Sequence, residues 1–319
     1  MVVDSFSAMA GELGAFNPDL LPRVSEIVSG RIREYVPAST LTTIAIGGPL
    51  RALVAVETIE ELAAVRALLT SENQTSNVLG FGSNLLVSDL GVDSWIIKLG
   101  SSFKVIDGIG PEILRISGAA SLMTVARKVS DEGLSGLEFA AGIPASIGGA
   151  VFMNAGAHGS EICERVVSVR GVLSDGQIVE WSRNELPWCY RFSGLPSGAA
   201  VTSVVLKLVM GDRQDISKSC ADNLAHRRRT QPLALPSAGS VFKNPRPEAP
   251  AGRLIEAAGL KGSNVGGARV SDLHANWIVN PAKNASAKDV RELMFQCIYR
   301  VKATSGITLQ PEVRQWGEF

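Results

Sequence analysis

Three observations in the sequence predict an α+β fold. Strand signals dominate from about residue 95 to 210, with one helical stretch interrupting them. Segments with helical spacing are few and unevenly placed, which does not suit the regular alternation of a doubly wound sheet. The last hundred residues change character, beginning with a basic helical stretch and ending in short mixed elements. With 319 residues, the chain can bury more than one core and form two or three domains.

In chain order, residues 1–37 read as an extension with one helix over about 20–35, punctuated by Asn17-Pro18 and Val36-Pro37. A strand follows over 51–56. Thr58-x-x-Glu61 then forms a capping box for a helix that places Ile59, Leu62, Val65 and Leu69 on one face. The short run Asn77-Val78-Leu79 enters a Gly-x-Gly-Ser-Asn turn at 80–84, and another strand leaves it. Further strands are expected over 95–99, 113–117, 166–172, 178–181 and 200–210. A helix over about 121–131 carries Leu122, Val125 and Val129 at helical spacing.

A domain boundary is expected near 212. The first domain spans 38–212, in two parts that meet near 105, and the second spans 213–319. The second opens with a helix over about 215–229 that ends in Arg227-Arg228-Arg229 and is stopped by Pro232 and Pro236. A short helix is expected over 253–258. Ser286-x-x-Asp289 caps a longer one, with Val290, Leu293, Met294, Ile298 and Val301 on its apolar face. The tail over 307–314 reads as a strand.

Composition narrows the possible functions. Lys plus Arg and Asp plus Glu stand at 31 each, so no net field favours nucleic acid or an anionic membrane. An acid, Asp4, lies where a secretory signal carries cations, and no apolar run reaches a membrane span, so a cytoplasmic protein is expected. Cys163, Cys189, Cys220 and Cys297 are far apart and lack C-x-x-C spacing. Reduced thiols are therefore expected, with no zinc site and no disulfide framework.

The segment from Gly142 to Gly156 is rich in small residues, apolar and uncharged. Such a stretch offers backbone rather than side-chain ions. Glycines let the main chain approach a ligand, and consecutive free N–H groups form an anion nest. A tightly packed turn is the structural alternative for an isolated Gly-Gly pair. The companion loop Gly80-Phe81-Gly82-Ser83-Asn84 lacks the third glycine and the following helix of a dinucleotide fingerprint. Together the two loops suit a pyrophosphate attached to a flat, largely apolar ring system.

Three histidines supply no assembled triad. His158 follows the second loop, His226 heads the basic run and His274 lies in Ser271-Asp272-Leu273-His274. Gly239-Ser240 lacks the second glycine of a nucleophile elbow. A structural role is the alternative for each histidine.

The two glycine loops, Tyr190-Arg191, Gly239-Ser240-Val241-Phe242-Lys243-Asn244-Pro245 and Pro311-Glu312-Val313-Arg314 stand in the order found in the UDP-N-acetylenolpyruvoylglucosamine reductase family. The chain resembles that family over about residues 38 to 317. The resemblance implies a two-part FAD-binding domain of the vanillyl-alcohol-oxidase type and a C-terminal α+β substrate domain. It also implies an NADPH-dependent flavoprotein of peptidoglycan precursor synthesis, a monomer acting on a UDP-enolpyruvyl amino sugar.

By that resemblance, Gly80, Phe81, Gly82, Ser83, Asn84 and Leu85 of the first loop hold the flavin. Gly142, Ile143, Pro144, Ser146, Ile147, Gly148, Gly149, Met153, Asn154, Ala155 and Gly156 hold it from the second. The implied chemistry passes hydride from the flavin N5 to the enol ether β-carbon. Ser240 is the implied proton donor, with Arg191 and Glu312 stabilising the enol intermediate, and Tyr190, Asn244 and His274 fall at substrate contacts. An arginine can fork onto a carboxylate and cannot lose its proton.

Taken singly, Ser240 could cap a turn, Arg191 could be a surface ion-pair partner and Glu312 a solvated strand residue. Only 48 residues separate Arg191 from Ser240, as in the shorter variety of the family, which leaves the uracil's stacking partner unassigned. Ala45 also stands where a longer side chain is expected. Two other functions fit the same cofactor loops: a flavin oxidase of a hydroxy acid, and a flavin-binding protein without turnover.

Overall fold

The computed structural model describes residues 16–319. Its first unit is a four-stranded sheet in the order Ile32–Pro37, Pro49–Val56, Val92–Leu99, Ser76–Val78. The first pairing is antiparallel and the other two are parallel. Helices α1 (Leu21–Ile27) and α2 (Ile59–Ser71) cover it, burying Val24, Leu62, Val65 and Leu69 with Trp95 and Ile97 of the sheet. Thr58 caps α2 by accepting from the Glu61 amide at 3.1 Å. The Glu61 carboxylate reaches one residue further out, accepting from the Glu57 amide at 2.7 Å.

The predicted helix over 20–35 is divided. It stops at Ile27, Ser29 and Gly30 turn the chain with positive φ (49° and 77°), and Ile32–Pro37 becomes the edge strand. The described part of the expected extension therefore belongs to the first unit, as its edge strand and a covering helix. Residues 1–15 lie outside the described residues.

The second unit is a five-stranded antiparallel sheet in the order Ile178–Ser182, Val166–Val172, Ala200–Lys207, Ile113–Ser117, Ile106–Gly108. Helices α3 (Leu122–Asp131) and α4 (Ile147–Phe152) pack with it around Ile116, Val169, Val204 and Leu206. Ser121 and Ser146 cap the two helices through the Thr124 and Gly149 amides. The glycine stretch read as a loop thus contains a six-residue helix.

Arg66 of α2 joins the two units. Its side chain is buried, with Nη1 donating to the Val172 carbonyl at 2.7 Å and Nη2 to the Gly198 carbonyl at 2.6 Å. Burial lowers its pKa to about 10, which still leaves it charged at neutral pH.

The C-terminal unit begins with α5 (Arg213–Thr230), capped by Asp212, and continues with α6 (Ala251–Ala257) and α7 (Ala287–Ser305). A four-stranded sheet in the order Ser237–Ser240, Trp277–Val279, Ala268–Val270, Asn264–Val265 packs with α6 and α7. Val290, Leu293, Met294, Ile298 and Val301 are buried, as their spacing requires. Ser286 and Asp289 form the capping box of α7. Asp89 of the first unit also accepts from the Ala287 and Lys288 amides at 2.8 and 3.1 Å.

The tail departs from the predicted strand over 307–314. Its strand is Arg314–Trp316, running parallel to Leu85–Val87 of the first unit. Just before it, Pro311 bridges Phe242. The chain end therefore returns to the strand that leaves the first glycine loop, threading Glu312 between that loop and Ser240.

Candidate active site

All three units line one cleft of about 1640 Å³. A site for one drug-sized molecule occupies roughly 300–1,000 Å³, so this volume exceeds the need of a single ligand. Val78, Leu79, Ile143, Ala145 and Val201 give it apolar walls, and cations stand around it.

The first glycine loop supplies the open backbone. Among the described residues, none of the amides from Gly80 to Asn84 finds an internal acceptor. Five consecutive free N–H groups make a nest for an anion. Gly80 lies against the second loop so closely that a Cβ there would sit 2.7 Å from Ser146 Oγ. A larger residue would displace that hydroxyl from its cap on the Gly149 amide.

The second loop is organised differently from what its composition suggested. The amides of Ile143, Ala145, Ile147, Gly148, Gly149 and Ala150 already donate to acceptors within the unit, Gly148 to the Gly118 carbonyl at 2.8 Å. Its small residues serve close packing, since a Cβ on Gly148 would lie 3.0 Å from the Val201 carbonyl oxygen. The nest is therefore the loop at 80–84, and 142–156 forms the facing wall. A free amide run beside apolar walls fits a cofactor with a diphosphate and a flat ring system.

Most of the residues expected to hold the cofactor line this cleft, including Phe81, Ser83, Asn84, Leu85, Pro144, Ser146, Met153, Ala155 and Gly156. Three do not. Gly142 packs against Leu224 and Arg227 of α5, and the Ile147 side chain is wholly buried in the core. Asn154 is wholly buried with φ 44°, and its side chain is engaged by protein groups.

Arg191, Glu312 and Ser240 all reach the cleft, although up to 121 residues of chain separate them. Arg191 sits in a tight turn in which Cys189 and Phe192 exchange backbone hydrogen bonds of 3.0 and 2.9 Å, and its own φ is 57°. Its Nε donates to Glu312 Oε1 at 2.7 Å and its Nη2 to the Gly156 carbonyl at 3.0 Å. The pair is largely withdrawn from solvent, with side chains 18% and 13% exposed. Burial pushes the Glu312 carboxyl above the ordinary glutamate range, while Arg191 and Lys243 oppose the shift.

Glu312 is held by its backbone from both sides. Its amide donates to the Val241 carbonyl at 2.8 Å, and its carbonyl accepts from Asn84 Nδ2 at 3.2 Å. Ser240 ends the strand Ser237–Ser240 opposite Trp277. Its hydroxyl has no hydrogen-bond partner among the described residues.

The expected substrate contacts are dispersed around the same end. Asn244 lines the cleft and uses its Oδ1 to accept from the Ala251 amide at 3.0 Å. Tyr190 stands outside the lining, under the Arg191 guanidinium at 4.8 Å from ring centroid to Cζ, and its hydroxyl accepts from the Asn244 amide at 3.4 Å. His274 lines the cleft, with Nδ1 accepting from the Asn276 amide at 3.2 Å, and burial lowers its pKa.

Sequence reading missed Lys98 and Lys104 in the lining, and named Arg314 only as the end of a motif. Lys98 gave a signal, being a cation among Trp95, Ile96, Ile97 and Leu99 of its strand. Burial, Arg33 and Lys104 depress its pKa. Arg227 is 7% exposed and its Nε has no partner among the described residues. Arg227 and Arg229 reach the cleft, while Arg228 faces solvent.

Comparison with known proteins gives a consistent result. Residues 50–182 match the model described as FAD binding domain. Residues 231–316 match the one described as UDP-N-acetylenolpyruvoylglucosamine reductase, C-terminal domain. The UDP-N-acetylenolpyruvoylglucosamine reductase of Bacillus pumilus is 41% identical over 292 residues, covering 91% of this chain and 95% of that protein. A Symbiobacterium thermophilum relative described as reductase 2 is 42% identical over 289 residues, covering 90% and 93%. The crystal structure of the Thermus caldophilus enzyme superposes with a TM-score of 0.78 at 38% identity, covering 90% of this chain and all of that one.

Proposed function

The chain belongs to the UDP-N-acetylenolpyruvoylglucosamine reductase family, FAD-containing oxidoreductases of peptidoglycan synthesis, and from that premise we propose how its residues divide the reaction. NADPH is the reductant, and the enolpyruvyl side chain of the UDP sugar is reduced to the lactyl ether of UDP-N-acetylmuramate. The flavin, when bound, supplies the hydride that is added to the enol ether β-carbon. The protein's own side chains manage the charge and the proton.

Arg191 binds the substrate carboxylate. Two of its five N–H groups are committed to Glu312 and Gly156, and three remain for a fork onto the carboxylate. Glu312 aims that fork. Its burial favours the neutral acid and its arginine favours the carboxylate, so the pair presents little net negative charge to an anionic substrate. As charge develops on the α-carbon and its carboxylate, Arg191 stabilises it where little water competes.

Ser240 donates the proton. Its O–H bond breaks as the C–H bond forms at the α-carbon, and the oxygen recovers a proton from water. A hydroxyl is a weak acid, yet a carbanion-like carbon is basic enough to take its proton. The free amides at 80–84 hold the cofactor's diphosphate, and the 142–156 wall packs beside its ring. Asn244, His274 and Tyr190 contact the remainder of the substrate.

The observation that carries this reading is the convergence of Arg191, Glu312 and Ser240 on the cleft faced by both glycine loops. Its test is anaerobic reduction of the purified flavoprotein by NADPH, followed by addition of the UDP-enolpyruvyl sugar. The sugar should reoxidise the wild type. Ser240→Ala should keep flavin and reduction by NADPH but slow that reoxidation on the order of 10²–10³-fold, the typical cost of one positioned donor. Unimpaired reoxidation would remove Ser240 from the mechanism. Fast reaction with oxygen and none with the sugar would favour an oxidase instead.

A further inference from the structure

Near its end the second glycine loop carries a residue whose position a flavin role does not explain. Asn154 is wholly buried, with φ 44°, a left-handed conformation that asparagine and glycine tolerate better than other residues. Its Nδ2 donates to the Cys189 carbonyl at 2.9 Å and to Glu161 Oε2 at 2.8 Å, and its Oδ1 accepts from the Cys163 amide at 3.3 Å. The carboxamide has no hydrogen left to offer the cleft.

Cys189 is one end of the turn that carries Tyr190 and Arg191, closed by its two hydrogen bonds with Phe192. Two residues beyond Asn154, the Gly156 carbonyl accepts from Arg191 Nη2 at 3.0 Å. The backbone turn beneath Arg191 and the guanidinium at its tip are thus both referenced to the segment 154–156. The other fixed points of this arginine are the Glu312 ion pair, the Tyr190 ring beneath the guanidinium and, two residues on, the Ser193 hydroxyl donating to the Phe152 carbonyl at 2.9 Å. Arg191 sits at φ 57°, in a turn of exposed neighbours, on a long flexible side chain.

We infer that Asn154 is a positioning residue for Arg191: its carboxamide holds the Cys189 carbonyl, and with it the turn that aims the guanidinium at Glu312 and the substrate carboxylate. Glu161 orients that carboxamide by taking its other hydrogen. This rests on the reading of Arg191 given above. It assigns to the end of the glycine loop a task in the second half-reaction, separate from holding the flavin.

The test compares three variants in the two anaerobic half-reactions. Asn154→Gly keeps the backbone conformation and removes the carboxamide. It should retain flavin and its visible spectrum, accept electrons from NADPH within about twofold of wild type, and be reoxidised by the UDP-enolpyruvyl sugar about 10–100-fold more slowly, the scale of an ångström-sized misplacement. Combined with Arg191→Ala, it should add almost nothing, because both changes remove the same function. Glu161→Ala, which frees the carboxamide to swing, should slow the same step by about 3–10-fold.

Additive losses in the double variant, or flavin affinity falling in step with reoxidation, would overturn the inference and leave Asn154 a general packing or cofactor residue. If Asn154→Gly fails to fold, Glu161→Ala carries the test, and normal reoxidation by it overturns the proposal. If Arg191→Ala alone is reoxidised normally, the reading of Arg191 itself fails. If Arg191→Ala is slow while Asn154→Gly is not, only the positioning role is lost.

Discussion

At the scale of single residues, the site depends on groups held away from their ordinary states. Glu312 is buried beside a guanidinium, and burial is the larger influence on its carboxyl, which holds a proton more readily than an exposed glutamate. A second carboxylate arriving at Arg191 adds a like charge and shares the arginine, both of which raise the Glu312 pKa further. The bound state then holds more protons than the free state. Binding of UDP-N-acetylmuramate to the oxidised protein should therefore take up protons and tighten as pH falls toward the raised Glu312 pKa. Calorimetry in buffers of different ionisation heat measures that uptake. Glu312→Gln should abolish it, and proton release by the wild type would contradict this account. Ser240 shows the complementary condition, since a hydroxyl with no internal acceptor among the described residues is free to point at substrate.

Secondary-structure elements are held in place by polar groups that reach between units. Arg66 of α2 satisfies two carbonyls of the second unit, and one of them, Gly198, belongs to the cleft wall. Replacing it by methionine keeps much of the packing but leaves both carbonyls without their donor. Hydrogen bonds to charged groups contribute about 1.5–3 kcal/mol each, so losing both in Arg66→Met should cost about 3–6 kcal/mol in urea unfolding. A loss below about 0.5 kcal/mol would mean that the carbonyls find other partners. Helix faces and caps were legible in sequence because they depend on neighbours three or four residues away, as with Thr58 and Ser286. The tail strand was misplaced because its pairing partner, Leu85–Val87, lies more than 200 residues upstream.

At the scale of the whole molecule, the cleft exists only where three units meet, so whatever fills it couples them. A ligand that binds only the folded state adds about 2.7 kcal/mol when free at 100 times its Kd. Stripping the flavin should thus lower the unfolding free energy by about that much relative to protein held at that excess, and refilling should restore it. A melting temperature indifferent to flavin would argue against a cofactor seated among all three units. Among the described residues no helix is long and apolar enough to cross a membrane. The sequence by itself determined the α+β class, most helices and the two glycine loops, and its motifs singled out Arg191, Glu312 and Ser240, because each rests on local spacing or on motifs whose order survives in a linear string. Only the tertiary structure decided that the open amides lie at 80–84, that those at 142–150 are mostly spent on internal bonds, that residues 32–37 are an edge strand, and that Asn154 faces the Arg191 turn. Those four outcomes have one physical cause: whether an N–H, a carbonyl or a carboxamide is free is settled by what packs against it, and that partner is remote in the chain.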